Sequence, residues 1–368
     1  MINNHIFAAS ILQNVELMLK NTIKKNPKPI CIVQTTDSLY IKIKYNINKF
    51  HSEEENIYQM IHVSSSVSDE ELIALLVELY EEQRNVIIIS SFSNALKAVL
   101  QTIRYHNKPT IVHHVDESVN FLDHYYNTSS ESNIALPDKT IQNILRVDCS
   151  SIQQHQFTDL FSQHVLNTTS RVYRLGQIKD NLYLCEPAMR SANAIVIDMK
   201  VLKYNEFPSV EGFSQSGLTS EEACMMSRHA GLSNDNKITL IHGIEEKMNT
   251  CDDQSANVLA QMIWYYYQGL VNQYREDLED PKKRISYHVS VETITNDYEF
   301  IKSQLSGRWW YKSPIDLPEH LKHLQYYPCH YEDYLEAVEG YVPDEILLAL
   351  DWFSQLEDDQ SSSKIDSN

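Results

Sequence analysis

The stretch AIVIDMKVLKYNEFPSVEGFSQSGLTSEEACMMSRHAG at residues 194–231 decides the expected fold. Its apolar start, 194–197, predicts a buried strand that ends at Asp198. After a loop, Thr219 has the spacing to a glutamate that is typical of a capping box, and Gly231 is expected just past the end of the helix. A polar residue at the carboxyl end of a central strand lies where open α/β sheets bind ligands. We therefore expect the functional site at the end of this strand.

The same alternation of strand and helix continues on both sides of this stretch. Expected strands lie at 30–33, 39–43, 85–90, 109–115 and 238–241, and expected helices at 10–24, 68–84, 93–106 and 254–275. The runs at 85–90 and 109–115 are apolar enough for strands that are buried on both faces. This order predicts an α/β fold with a mostly parallel sheet and helices on both faces.

The last part of the chain has a different pattern. Strands are expected at 285–291 and 308–311 and helices at 330–339 and 343–354, and no linker rich in glycine, proline or serine precedes them. We therefore expect an α/β domain at 1–280, a C-terminal extension at 281–354 packed on it, and a polar, disordered tail at 355–368.

The composition excludes several classes of function. The net charge of −19 disfavours nucleic acid and anionic membrane surfaces as partners. No apolar run reaches the roughly 18 residues that a membrane span needs. The six cysteines are scattered, which favours reduced thiols in the cytoplasm. None of the eight glycines precedes Gly176, so the first half of the chain has no phosphate-binding glycine loop.

Several separated motifs resemble the ureohydrolase family, which comprises arginase, agmatinase and formimidoylglutamase. The strand end at 197–200 stands where the family has an F-D-x-D pattern, and 216–221 stands at the place of its GG-[LM]-[TS]-xxE helix start. Segments similar to an arginase-like bacterial branch that carries a C-terminal extension lie at 222–224, 228–232, 261–265, 308–310 and 328–334. The resemblance implies a three-layer ureohydrolase (arginase-like) fold with a small C-terminal α+β extension.

The chemistry implied by this resemblance needs two Mn²⁺ ions held by two histidines and four aspartates. The corresponding positions of this chain hold Ser93, Asp116, Ser118, Asn120, Asp198 and Lys200. Only the two aspartates keep a ligand side chain. The attraction between a cation and one carboxylate about 4 Å away is worth roughly 4 kcal/mol even at an effective dielectric constant of 20, so each missing carboxylate weakens metal binding strongly. We therefore expect that no dinuclear site forms, that the chain has no manganese cofactor, and that no residue here is catalytic.

Three further interpretations concern charged side chains and possible metal ligands. Lys200 is expected to replace the metals by pairing with Asp116 or Asp198, although a solvent-facing lysine is the alternative. Glu245 and Glu246 lie near the place where the family holds its substrate with a carboxylate, and Glu245 is the candidate for this role. A relocated metal site could combine Asp116 with histidines at 113, 114 and 124, but adjacent residues of a strand point to opposite faces, so packed histidines are favoured.

These observations favour a catalytically degenerate protein, a pseudoenzyme that acts through protein–protein contacts with a partner of unknown identity. The first alternative is a manganese-dependent amidinohydrolase that cleaves a C–N bond of a guanidino or formimino substrate. The second is a metal-free sensor of a small molecule. The aromatic residues of the extension fit either a docking surface or a packed core, and the sequence leaves a homo-oligomer open.

Overall fold

A computed structural model describes the greater part of the chain. It covers residues 29–50, 58–63, 67–92, 94–105, 110–118, 144–153, 170–212, 214–246, 251–290, 298–317 and 319–365. The helix expected at 10–24 lies outside these residues. Within the covered part, none of the helices combines the length and the apolarity that a membrane crossing requires.

Eight strands form one parallel sheet in the order β2-β1-β3-β8-β7-β4-β5-β6. The strands are β1 (Ile30–Gln34), β2 (Gln59–Val63), β3 (Val86–Ser90), β4 (Thr110–Val115), β5 (Ile144–Ile152), β6 (Val172–Arg174), β7 (Ala194–Asp198) and β8 (Ile238–His242). The central strands are buried along their length, as their continuous apolar runs predict. The strand that opens the quoted stretch, β7, lies between β8 and β4.

Helices cover both faces of this sheet, as expected. They are α1 (Asp37–Ile47), α2 (Asp69–Glu81), α3 (Asn94–Tyr105), α4 (Leu175–Asp180), α5 (Glu186–Ser191), α6 (Ser220–Leu232) and α7 (Cys251–Val271). One apolar core lies under α1, α6 and α7, and a second lies under α2 and α3 on the other face. The capping boxes of α2 and α6 form as predicted, from Ser68 to Glu71 and from Thr219 to Glu222. The result is a three-layer α/β structure.

The strand expected at 39–43 is wrong, because this segment belongs to helix α1. Thr36 caps the helix by accepting a hydrogen bond from the Leu39 backbone N–H at 3.4 Å. Leu39, Ile43 and Ile47 then recur every fourth residue and are buried together. Their spacing is that of one helical face, and the short apolar run hid it.

Gly231 lies inside the last turn of α6 and not past its end, and Ser233 is the C-terminal cap. The glycine is needed for helix packing. A Cβ atom at Gly231 would collide with the Tyr266 carbonyl group of α7, and one at Gly269 would collide with the Arg228 carbonyl oxygen of α6. The two helices therefore cross with their backbones in contact.

The C-terminal region forms a second, antiparallel sheet in the order β12-β11-β10-β9. Its elements are β9 (Arg284–Val289), β10 (Tyr298–Ser303), β11 (Trp309–Lys312), β12 (Tyr326–Cys329), α8 (Tyr331–Val338) and α9 (Asp344–Ile365). Helix α9 continues through residue 365, so most of the segment for which disorder is predicted is helical here. Much of the aromatic block, including Trp309, Tyr327 and Trp352, lies in a packed core.

Buried arginines of the α/β part hold this extension in place. Arg171 donates from Nε to the Tyr327 hydroxyl and from Nη2 to the Pro328 carbonyl oxygen, both at 2.7 Å, and lies 3.0 Å from Glu345. Arg190 donates from Nη2 to the carbonyl oxygens of two residues of the small sheet at 3.2 Å. The extension therefore packs directly on the large sheet.

Candidate functional site

Two aspartates meet at the carboxyl edge of the large sheet. Asp198 is the last residue of β7, and Asp116 follows the neighbouring strand β4. The Asp116 backbone N–H donates to the Ser150 carbonyl oxygen at 3.1 Å, which continues the parallel ladder towards β5. Because parallel strands end at the same edge, the fold brings together the two carboxylates that the sequence singles out.

The carboxylate of Asp116 is 6% exposed and is bound by its own loop. Its Oδ1 accepts hydrogen bonds from the Ser118 backbone N–H at 2.9 Å and from the Ser118 hydroxyl at 3.4 Å. Burial, followed by repulsion from the Asp198 carboxylate, raises the pKa of Asp116 well above its ordinary value. The buried carboxyl of Asp116 is therefore less readily ionised than that of a solvent-exposed aspartate.

Asp198 is likewise bound to backbone. Its Oδ1 accepts a hydrogen bond from the Lys200 backbone N–H at 2.8 Å and so caps the short 3₁₀ turn Met199–Val201. Gly243, with a φ of +75°, brings the chain after β8 against the Asp198 carboxylate, because a Cβ atom there would overlap Oδ1. One oxygen of Asp198 is thus held between two backbone segments.

The predicted ion pair of Lys200 with Asp116 or Asp198 is wrong. The Lys200 ammonium lies 3.4 Å from Glu211, with a side chain that is 37% exposed. The 3₁₀ turn explains the difference, because it directs the backbone N–H of Lys200 to Asp198 and the side chain to the surface. Lys200 thus has the solvent-facing role that was its alternative interpretation.

Glu246, and not Glu245, is the glutamate that joins the strand ends. Its carboxylate accepts hydrogen bonds from the Thr36 backbone N–H at 2.9 Å, from the Thr36 hydroxyl, and from the Ser91 hydroxyl at 2.5 Å. It therefore links the segments that follow β1, β3 and β8. Glu245 is exposed, and its backbone N–H donates to the Ser209 carbonyl oxygen at 2.9 Å. Of the two adjacent acids that the sequence singles out, Glu246 is thus the one bound between strand ends, and a role of Glu245 towards a substrate stays a prediction.

The remaining positions that the resemblance assigns to the metal site are divided. Ser118 lies beside Asp116, as described, whereas Ser93 and Asn120 lie outside the described residues. His113 is fully buried, and its Nε2 lies 3.0 Å from the Ser150 hydroxyl. Burial, together with the nearby charges of Arg171 and Arg146, lowers the pKa of His113 to about 3. It is a packed, neutral histidine.

Within the described part of the chain, the donor set at this edge does not fit two manganese ions. No three histidine, cysteine or acidic side chains are grouped there as metal ligands. The carboxylate of Asp116 has the Ser118 hydroxyl as its neighbour, and Mn²⁺ prefers carboxylate and imidazole donors. The five cysteines whose side chains are described are free and buried.

Three solved structures share this fold. A variant of Trypanosoma cruzi formiminoglutamase with Mn²⁺ matches with a TM-score of 0.51 and 14% identity, over 71% of this chain and 98% of that one. Formimidoylglutamase from Bacillus subtilis matches with a TM-score of 0.50 and 11% identity, over 67% and 88%. Arginase from Bacillus subtilis matches with a TM-score of 0.50 and 9% identity, over 68% and 100%.

The chain therefore has the arginase-like, ureohydrolase fold, with an additional antiparallel sheet at its C-terminus. No protein-family model matches its sequence, and no curated protein matches it either. Identities this low show the fold alone.

Proposed function

We propose that this chain is a catalytically degenerate ureohydrolase-fold protein, a pseudoenzyme that acts in the cytoplasm through contacts with a protein partner. The observation that carries the proposal is the state of the two remaining carboxylates. Asp116 and Asp198 each accept an N–H from their own loop, at 2.9 and 2.8 Å. Lys200 supplies no third carboxylate, and its ammonium lies at the surface beside Glu211. An edge with this donor set has no means to activate water, because it lacks the charge that holds two cations close together.

A stripe of exposed apolar side chains supports the role in protein contacts. Tyr331, Leu335 and Val338 are spaced along one face of α8 and are 45%, 39% and 55% exposed. Tyr341, just beyond the helix, is 68% exposed. Exposed acidic side chains surround this stripe at Glu332, Glu336, Glu339 and Asp344. The surface suits a protein partner with an apolar centre and a basic rim.

The loss of catalysis is tested by metal analysis together with an activity assay. We expect the purified chain, dialysed against Mn²⁺, to hold no stoichiometric manganese. We also expect it to release no urea from arginine or agmatine and to hydrolyse no formiminoglutamate. Two metals per chain, or turnover that a chelator abolishes, would support the alternative of a manganese-dependent amidinohydrolase.

The contact surface is tested by site-specific photo-crosslinking in the native cell. A photoreactive residue replaces Leu335 in one protein and Leu305, which is 58% exposed in the turn between β10 and β11, in the control. We expect a discrete crosslinked species from position 335 that the added substitution Val338→Asp removes. Identical products from both positions would contradict a partner at this stripe.

A further inference from the structure

A cavity of about 380 Å³ lies at the opposite, amino edge of the large sheet. On one side it is lined by Ile111 at the start of β4 and Asn193 just before β7. On the other side it is lined by Trp310 of β11 and Trp352 of α9. The cavity therefore forms where the C-terminal extension meets the sheet. It shares no residue with the edge that holds Asp116 and Asp198.

Two buried arginines line the cavity with unused hydrogen-bond donors. Arg146 is 2% exposed and Arg190 is 8% exposed. Nε of Arg146 lies 2.9 Å from Asp148, and its Nη2 donates to the Ser191 hydroxyl at 3.3 Å. Within the described part of the chain, Nη1 of each arginine has no hydrogen-bond partner, and neither has Nε of Arg190. Buried donors of this kind are rare, because each loses the free energy of its hydration.

The ion pairs around these arginines leave positive charge in excess. Four guanidinium groups share three carboxylates, in the pairs Arg146–Asp148, Arg171–Glu345, Arg190–Glu186 and Arg308–Glu186. Burial lowers the pKa of Arg190, with the Glu186 carboxylate opposing this effect. A buried charge without a full counterion is costly, so an anion in this cavity would be stabilised.

Flat aromatic rings hold both guanidinium groups. The Arg190 guanidinium carbon lies 4.4 Å from the centre of the Trp310 ring, and that of Arg146 lies 4.6 Å from the centre of the Trp352 ring. Stacking on an indole restricts the rotation of an arginine and so orients its donors. The indoles also give the cavity planar, apolar walls.

The rim of the cavity has the opposite charge. Asp235, Asp277 and Glu279 line it and are exposed, and Asp277 is paired with Lys283 at 2.6 Å. Glu276 lines it as well, and one of its carboxylate oxygens is buried without a hydrogen-bond partner among the described residues. Arg308 and Lys322 line the cavity as well, with Lys322 paired to Asp316 at 3.3 Å, so four acids face two bases around the buried cationic floor of Arg146 and Arg190.

We propose that this cavity binds a small dipolar molecule, whose carboxylate lies against the guanidinium groups of Arg146 and Arg190 and whose basic nitrogen lies at the acidic rim. A planar or apolar body between the two ends fits the indole walls. A volume of this size is within the range of small-molecule sites. The proposal stands apart from the proposed function, since it uses neither the carboxyl edge nor the stripe on α8.

The test uses the full chain and three matched probes: 4-(aminomethyl)benzoate, benzoate and benzylamine. Melting temperature and intrinsic tryptophan fluorescence report binding, because two indoles line the cavity. We expect the dipolar probe to bind most tightly, benzoate to bind more weakly, and benzylamine to give no response. If neither carboxylate raises the melting temperature or changes the fluorescence, the proposal is overturned.

Two variants locate the binding. Arg190→Lys keeps a charge but loses the guanidinium fork, so the affinity for both carboxylates should fall at least about tenfold. Glu279→Gln changes only the exposed rim and should remove the preference for the dipolar probe over benzoate, even if the first variant does not fold. Glu82→Gln, an exposed acid on the end of α2, is the control and should bind as the wild type does. A preference that survives Glu279→Gln, or full affinity in Arg190→Lys, would show that the probes bind elsewhere.

Discussion

The two edges of the large sheet differ in the sign of their buried charges and in the partners that these charges have. At the carboxyl edge, Asp116 and Asp198 approach each other, and backbone N–H groups of their own loops are their nearest donors. At the amino edge, four arginines share three carboxylates under the cover of the C-terminal extension. The difference teaches that neighbouring carboxylates can be bound by their own loops, whereas the buried guanidinium of Arg171 takes its partners from far along the chain. At the first edge, local turns bind the two aspartates and Glu246 links distant strand ends, whereas at the second edge ion pairs and hydrogen bonds join the sheet to the extension.

Removal of the C-terminal extension should have the largest effect on the stability of the protein. A chain that ends near residue 280 loses the partners of Arg171 and Arg190 and exposes the apolar cluster around Ile111. We expect it not to fold cooperatively, because several buried charges lose their counterions at once. Circular dichroism during heating checks this. A shortened chain with the melting temperature of the full one would show that the amino edge is stable without its cover.

A single substitution at each edge makes the comparison quantitative. Arg171→Met should lower the free energy of unfolding by about 3–5 kcal/mol, because it leaves Glu345 and the Tyr327 hydroxyl without their buried partner. Lys200→Met, which removes an exposed pair with Glu211, should change it by about 0–1 kcal/mol. Urea denaturation measures both. Equal losses would mean that the two edges do not differ as described.

The pH dependence of stability tests whether the native state keeps the buried imidazole of His113 neutral. The native state keeps this imidazole neutral down to a pKa of about 3, whereas the unfolded chain takes up a proton near pH 6.5. Its contribution is therefore complete above about pH 6.5 and is lost as the pH falls towards 3. Between about pH 7 and about pH 5 the wild type should lose up to about 2 kcal/mol more stability than His113→Gln.

Urea denaturation at the two pH values checks this difference. The exposed His288→Gln serves as the control and should follow the wild type. If His113→Gln shows the same fall in stability as the wild type, the buried imidazole is not held neutral.

A small gain in stability is expected from a substitution of Asp116 at the carboxyl edge. Asp116→Asn keeps an oxygen for the Ser118 N–H but removes the repulsion from Asp198. Because the pKa of this buried carboxyl is raised, its ionisation destabilises the fold as the pH rises above the ordinary pKa of an aspartate. The variant should therefore be more stable than the wild type at neutral pH. Urea denaturation at pH 7 measures this gain. A loss of bound metal on this substitution would instead reveal a cation that the two aspartates hold.

Much of the large sheet was predictable from the sequence. Continuous apolar runs identified β3, β4, β7 and β8, and the capping boxes located the starts of α2 and α6, because these signals are local. The segment that begins at Leu39 was misassigned because its helical period appears only when residues up to Ile47 are counted. Local patterns thus indicated the layers, and the order of motifs along the chain indicated the pairing of Asp116 with Asp198.

The sequence did not predict which partner each charged side chain takes. Lys200 is close to two aspartates along the loop, yet the turn directs its ammonium to Glu211. The arginines of the amino edge were missed, although one signal was present. In β5, Arg146 and Asp148 alternate among apolar residues on one face of a buried strand, which requires a buried ion pair. The partners of Arg171 lie in the extension, far along the chain, and no local pattern indicates them.

The crossing of α6 and α7 bears on how relatives of such a chain are found. Gly231 and Gly269 cannot accept a side chain without moving one helix off the other. This steric requirement comes from helix packing alone, so it holds for any sequence whose two helices keep this crossing, whatever occupies the metal-ligand positions. A search for diverged relatives can therefore be anchored on a pair of small residues in these two helices.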